Sequence, residues 1–262
     1  QIVFHAAAYK HVAMQEEFPW EAIKTNVYGT SNLVKLSLEH NIEKFVLVST
    51  DKAVKPTNVM GATKRLAEVV IQDLNKKYSK TEFMAVRFGN VLGSSGSVIP
   101  IFQEQIKNGG PITITDPDME RFFMSVPEAA QLIIQAGSLG KGGEIFALDM
   151  GQPIKILDIA NELIRLSGLE PDIDIPISFI GKRPGEKKLE ELVHDEEQVQ
   201  KTLHEKILKI RQTITPELLK NITSRIIQGE LTGHEFDSSK LRVYLSSLVP
   251  EYEPSKRDDE PI

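Results

Sequence analysis

The sequence predicts a doubly wound α/β fold, a parallel sheet with helices on both faces, and three observations carry that prediction. Phe45-Val46-Leu47-Val48 is a short apolar run, the length and composition of a strand buried on both faces. Strand-like runs also end at Phe4, Phe88 and Met150, and helical patterns lie between the runs, as in a parallel sheet with crossover helices. Small or polar residues follow the first runs, and in an open parallel sheet ligands sit beyond the carboxyl ends of the strands.

Ile2-Val3-Phe4 reads as a strand end, followed by His5-Ala6-Ala7-Ala8-Tyr9-Lys10-His11-Val12. Small residues there let a ligand approach the backbone, although a tight Ala-rich strand-to-helix junction explains them equally. Phe18-Pro19-Trp20-Glu21 opens a helix, with proline at a permitted first-turn position, that runs to about His40. Asn26 falls in its middle, a poor place for asparagine by propensity.

After the run at 45–48 come the consecutive polar residues Ser49, Thr50, Asp51 and Lys52. Pro56 then breaks the backbone, and Thr57 or Asn58 can cap the next helix. On that helix Met60 and Lys64 are four apart and share a face. Thr50-Asp51-Lys52 and Met60/Lys64 are therefore aimed at one crevice. Taken alone, Met60 reads equally as core packing and Asp51-Lys52 as a solvated loop pair.

Glu82 to Phe88 reads as the next strand. The loop from Gly89 to Ser97 holds three glycines and three serines, and such loops expose backbone N–H groups that suit phosphate oxygens. Pro111 to Thr115 is a strand by alternation and β-branching. Arg121 and the aromatic pair beside it follow a turn at 116–118, where Arg121 could be a surface charge. Val126-Pro127 opens a helix to about Gly137, Gly143 to Met150 is a strand, and Ile154 to Leu166 is an amphipathic helix stopped by Gly168. Ile173 to Ile180 is a strand leading into Gly181-Lys-Arg-Pro-Gly-Glu-Lys187, by composition a charged turn. From Glu190 the chain reads as charged and helical, with one helix from Thr215 to near Gly229, another from Phe236 to Leu248, and a frayed end at 256–262.

The 262 residues suffice for one large or two unequal domains. Lys and Arg number 31 against 37 Asp and Glu, a net charge of −6, which argues against nucleic-acid binding through a basic face. With no cysteine there is no disulfide, thiol nucleophile or Cys-type zinc site, and no metal site is expected. No apolar run approaches the roughly 20 residues needed to span a membrane, and no signal peptide is seen.

The layout resembles the extended short-chain dehydrogenase/reductase family, in which a strand ends in Ser/Thr and a Tyr-x-x-x-Lys pair follows on the next helix. Here the tyrosine position is Met60. Ser49-Thr-Asp-Lys-Ala53 and Met60-Gly-Ala-Thr-Lys64 are similar to a branch of polysaccharide-biosynthesis nucleotide-sugar 4,6-dehydratases, the CapD-like Met-x-x-x-Lys subgroup. Arg183-Pro-Gly-Glu-Lys187 is a further marker of the extended family. The likeness covers nearly the whole chain and is strongest from His5 to Lys187.

The resemblance implies a Rossmann-like fold lacking its first strands. No Gly-x-Gly-x-x-Gly occurs to seat a pyrophosphate, and Gln1 begins within a strand, so the chain is expected to be the carboxyl-terminal part of a longer protein. Residues 1–194 are expected to form a partial NAD(P)-binding domain, with an interleaved substrate lobe mainly at 90–194 and a helical tail at 195–262.

The implied activity is a C5-retaining UDP-N-acetylglucosamine 4,6-dehydratase with tightly bound NAD or NADP regenerated at each turnover. Thr50, Asp51, Lys52 and Lys64 are its expected catalytic residues. Ala6, Ala7, Ala8, Met60, Lys64 and Arg87 are expected on the cofactor, and Asn26 on Lys64 through water. Lys10, Asn90, Ser97, Val98, Arg121, Arg183 and Glu186 are expected on the UDP-sugar, with Arg121 on its diphosphate and Arg183 and Glu186 closing over its uridine end. The resemblance also implies a bacterial homo-oligomer in the cytoplasm, anchored to the inner membrane only through a preceding region. The alternatives are a nucleotide-sugar 4-epimerase, a C5-inverting dehydratase and an inactive nucleotide-sugar-binding module.

Overall fold

A central parallel sheet organises the computed structural model, which describes residues 1–77, 80–194, 197–211 and 238–254. Strand β1 (Ile2–His5) leads into α1 (Val12–Glu17), α2 (Pro19–Ala22), a π-helical segment (Ile23–Gly29) and α3 (Thr30–Glu39). Strand β2 (Lys44–Val48), a 3-10 turn (Asp51–Ala53) and α4 (Val59–Lys77) follow. Next come β3 (Glu82–Arg87), β4 (Asn90–Val91), α5 (Val98–Lys107), β5 (Ile112–Ile114), β6 (Glu120–Arg121) and β7 (Phe123–Met124). The rest comprises α6 (Val126–Leu139), β8 (Ile145–Leu148), β9 (Ile154–Lys155), α7 (Ile156–Leu166), β10 (Ile177–Phe179), β11 (Gln198–Lys201), β12 (Ile207–Arg211) and α8 (Ser238–Leu248).

The main sheet has the order β1-β2-β3-β8-β12-β11. Its first four strands are parallel, with Phe45 opposite Val3 on one side and Phe83 on the other. Strand β2 is apolar from Phe45 to Val48 because both its faces are covered. Phe45 and Leu47 pack with α3 and α4, whereas Val46 packs with Met84 and with Ala129 and Leu132 of α6. Fully burying each such large side chain is worth about 1.5–3 kcal/mol.

A smaller lobe is built from α5, α7 and the parallel pair β5–β10, around Phe102, Ile112, Ile114 and Ile164. The two-residue pairs β4–β7 and β6–β9 join this lobe to the carboxyl ends of the main strands.

Two expectations are corrected. The stretch from Glu190 onward is not helical throughout: Gln198–Lys201 and Ile207–Arg211 form a hairpin that extends the sheet antiparallel to β8. Ile207 and Ile210 point to opposite faces and enter separate cores, so β8 is covered on its open edge. The four residues of β11 are all exposed, which is why the segment reads as a charged tail. The expected helix from Phe18 to His40 is likewise interrupted by a π-helical stretch centred on Asn26. The expected helix at 215–229 and the end at 256–262 lie outside the described residues.

The carboxyl-terminal helix α8 packs Leu241, Leu245 and Leu248 into the core beside α4. Its Arg242 Nε donates to Glu16 Oε2 at 3.3 Å, and Glu16 Oε1 in turn accepts the backbone N–H of Val59, the first residue of α4, at 2.6 Å.

Candidate active site

A cavity of about 380 Å³ opens at the carboxyl ends of β1, β2 and β3. Ala6, Ala8 and Lys10 from the segment after β1 form one wall. Thr50 and Lys52 form the floor, Met60 and Lys64 of α4 stand beside it, and Asn90 and Ser97 close the far side. Val98 and Ala7 do not line it. Asn26 fixes the first wall: its Oδ1 accepts the Tyr9 N–H at 2.8 Å, and its Nδ2 donates to Tyr9 O at 3.1 Å and Thr63 Oγ1 at 3.0 Å. That amide is committed to the Tyr9 backbone and the Thr63 hydroxyl, and it sits in a π-helical distortion beside the cavity.

The 3-10 turn presents the reactive groups. Thr50 Oγ1 accepts the Lys52 N–H at 3.4 Å and donates to Asp51 Oδ1 at 2.9 Å. Lys52 Nζ donates to the same Asp51 oxygen at 3.0 Å and to Asn90 Oδ1 at 3.3 Å. Asp51 is fully buried directly behind the floor, so only Lys52 and Thr50 of this trio face the cavity. Burial by itself would lower the proton affinity of Lys52, but the Asp51 and Glu190 carboxylates outweigh it and hold the ammonium above its ordinary pKa, against an opposing push from Arg121. Helix α4 comes close to this turn, with Asn58 Oδ1 capping it by accepting the Gly61 N–H at 2.7 Å.

Lys64 reaches back under β2 and donates to Val48 O at 2.6 Å. Burial lowers its pKa to about 8, with Glu68 opposing. His5 accepts from or donates to Thr30 Oγ1 at 2.9 Å, and burial, then the Lys64 charge, lower its pKa to about 4.

Arg87, expected on the cofactor, is corrected. It is 1% exposed, bonded to both Glu68 oxygens at 2.8 and 2.9 Å and to both Glu197 oxygens at 3.0 and 2.9 Å. A guanidinium doubly forked in this way is committed to the core. Burial alone would raise the Glu68 pKa, but Arg87 and Arg65 outweigh it and keep it below the usual carboxylate range.

None of Arg121, Arg183 and Glu186, expected on the UDP-sugar, lines the cavity. Arg121 is buried behind the floor and donates through Nη1 to the carbonyls of Glu120 at 2.6 Å and Lys188 at 2.9 Å. Arg183 is exposed, and its N–H donates to Glu186 Oε2 at 3.1 Å within the turn. That turn is a fastening: Gly185 O accepts from Thr57 Oγ1 at 3.1 Å and Asn58 Nδ2 at 3.0 Å, and Lys187 Nζ donates to Val54 O at 3.0 Å. It delivers Glu190, a residue sequence reasoning missed, to 3.8 Å from Lys52 Nζ. A glutamate inside a charged run carries no signal that would single it out.

Among the described residues no cluster of His, Asp and Glu could hold a metal ion, and no helix is long and apolar enough to cross a membrane.

Comparison with known proteins places this geometry. Over 207 residues the chain is 58% identical to the capsular polysaccharide biosynthesis protein CapD of Staphylococcus aureus, covering 79% of this chain and 34% of that protein. It is 41% identical over 197 residues to a UDP-glucose 4-epimerase of Rickettsia canadensis, covering 74% of this chain and 56% of the relative. The chain thus spans about a third and about half of these relatives' lengths. The solved structure of Pen from Bacillus thuringiensis superimposes with a TM-score of 0.73 at 38% identity, covering 86% of this chain and 75% of that one. A family profile described as polysaccharide biosynthesis protein matches residues 1–212, and with it the chain belongs to the polysaccharide biosynthesis protein family, in its CapD-like branch.

Proposed function

We propose that the protein is a nucleotide-sugar 4,6-dehydratase acting on UDP-N-acetylglucosamine with retention at carbon 5. The observation that carries the reading is the Asp51–Lys52 pair, 3.0 Å apart at a cavity floor, with Met60 on the wall where a proton-transferring tyrosine would otherwise stand. A site that only bound sugar would need neither a buried carboxylate nor an amine beside it.

The residues fit a nicotinamide dinucleotide, NAD or NADP. Ala6 and Ala8 offer a wall with nothing larger than a methyl group, and Lys64 stands where it can hold a ribose hydroxyl. When bound, that group supplies the hydride acceptor for carbon 4 and the donor for carbon 6. Thr50 Oγ1 holds the carbon 4 hydroxyl and hands its proton to Asp51 along the 2.9 Å bond between them. Lys52, as the amine, takes the carbon 5 proton that the neighbouring ketone acidifies. Asp51 gives its proton back through the Thr50 hydroxyl to the carbon 6 hydroxyl, which leaves as water. Lys52 then returns its proton to carbon 5 on the face it came from, so configuration is retained and both side chains end as they began.

Lys10, Asn90 and Ser97 are the polar groups placed for the nucleotide diphosphate. Ser97 Oγ is buried without a hydrogen-bond partner among the described residues, at the start of α5, where helix N–H groups favour an anion.

The test is to incubate the full-length protein with UDP-N-acetylglucosamine deuterated at carbon 4 and follow it by NMR. The expected product is a 4-keto-6-deoxy sugar with the label at carbon 6. The second reading, a 4-epimerase, draws on the rickettsial relative's name. It requires inversion at carbon 4 without loss of water, and that outcome would replace the dehydratase reading.

A further inference from the structure

Lys52 is surrounded by three acceptors: Asp51 Oδ1 at 3.0 Å, Asn90 Oδ1 at 3.3 Å and Glu190 Oε1 at 3.8 Å. Asp51 and Glu190 are 0% and 2% exposed. Asp51 Oδ2 and Glu190 Oε2 are each buried with no hydrogen-bond partner among the described residues. One ammonium therefore faces two buried carboxylates, each with acceptor capacity left over. A buried polar atom left unpaired costs free energy, and where one persists it calls for an explanation.

The elimination described above needs Lys52 as an amine while Asp51 is still a carboxylate, because Asp51 must receive the proton of the carbon 4 hydroxyl. The resting Lys52 ammonium must therefore lose a proton to some other group. The Asn90 amide oxygen is too weak a base, and Asp51 would be spent by accepting it. Glu190 is the remaining neighbour.

We propose that Glu190 is a positioning residue for the base: Lys52 passes its extra proton to Glu190 Oε1, which leaves Lys52 an amine and Asp51 a carboxylate. One N–H bond at Nζ breaks and one O–H bond forms on Glu190. A positive and a negative charge cancel, so no net charge enters or leaves the closed site. Lys52 later borrows and returns only the carbon 5 proton, so Glu190 keeps the one it took throughout the cycle. The charged groups facing Glu190 are Lys52, Asp51, Arg121 and Lys187. Burial, aided by Asp51, makes its carboxyl a better proton acceptor than an ordinary glutamate, against the opposing cations. The assignment rests on the dehydratase reading.

Two measurements on the full-length protein test it. Competitive acetylation of Lys52 across pH, read by mass spectrometry, needs no turnover. In Glu190→Gln, with no neighbour to take its proton, Lys52 is expected to be acetylated about tenfold more slowly at neutral pH. An unchanged or faster acetylation, the result of a plain ion pair, overturns the proposal. The second measurement is the pH profile of turnover. Glu190→Gln is expected to lose about tenfold or more in kcat at neutral pH, with KM within about twofold, and to recover as pH rises and solvent takes the Lys52 proton instead. Glu190→Asp, which keeps a carboxylate, is expected to restore the wild-type profile. A loss equal at every pH is what a purely structural role produces, and it overturns the proposal. If the wild type forms no 4-keto-6-deoxy sugar, the dehydratase reading fails, while the Lys52 titration still decides whether Glu190 governs that proton.

Discussion

Gly61 stands so close to Lys52 that a β-carbon on it would lie 2.1 Å from the Lys52 carbonyl oxygen. The first turn of α4 and the turn carrying Thr50, Asp51 and Lys52 are thus in direct backbone contact, and Met60 and Lys64 are placed by that contact.

Gly61→Ala must push the two turns apart. Overpacking of this kind costs about 1–3 kcal/mol. A lower melting temperature is expected together with reduced turnover, measured by calorimetry and by product formation. Full activity in this variant would show that the close approach does not set the geometry.

The acid–base pair is expected to behave differently from the wall beside it. Asp51→Asn or Lys52→Met should lower the dehydration rate by about 100-fold or more, the scale of general acid–base catalysis, with UDP affinity little changed. Met60→Leu nearly conserves volume and should retain most activity. The assay is single-turnover product formation on all three variants, with folding checked by circular dichroism.

Affinity for the nucleotide should follow the cavity wall rather than the charged turn. Losing a charge-assisted hydrogen bond, at about 1.5–3 kcal/mol, weakens binding about 10- to 100-fold, and this is expected for Lys10→Ala titrated calorimetrically with UDP. Arg183→Ala should bind UDP as the wild type does. The reverse result would return the diphosphate to the charged turn.

His5 gives a pH signature in stability. Its folded pKa of about 4 lies below the ordinary 6.5, so between these values the unfolded chain binds more protons than the folded one. Stability is therefore expected to be full above 6.5 and to fall as pH drops towards 4. Urea unfolding at several pH values measures it, and His5→Gln should flatten the dependence over that window while other groups continue to titrate below it.

Some of this was legible in the residues and some was not. The run Phe45–Val48 could hardly be anything but a strand covered on both faces, and the four-residue spacing of Met60 and Lys64 set both on the side of α4 that lines the cavity. Pro56 and Asn58 marked where that helix begins. Arg87 misled, because its partners Glu68 and Glu197 lie 19 and 110 positions away and no local pattern announces them. Glu190 was hidden for the opposite reason: its neighbours in sequence are charged too, and only the fastening of Gly185 to Thr57 and Asn58 brings it inside. The hairpin at 198–211 was masked by the exposure of its outer strand, although Ile207 and Ile210 carry it into the cores.

The bond chain Arg242–Glu16–Val59 reaches from a helix near the end of the described residues to the first amide of α4, next to Met60 and five residues before Lys64. Shortening the protein before Ser238, or grafting a tag or fusion partner against α8, is therefore expected to disturb the Lys64 amine beside the cavity rather than a dispensable appendage. Anyone seeking a smaller, crystallisable or immobilised version of this protein should keep that helix and trim elsewhere.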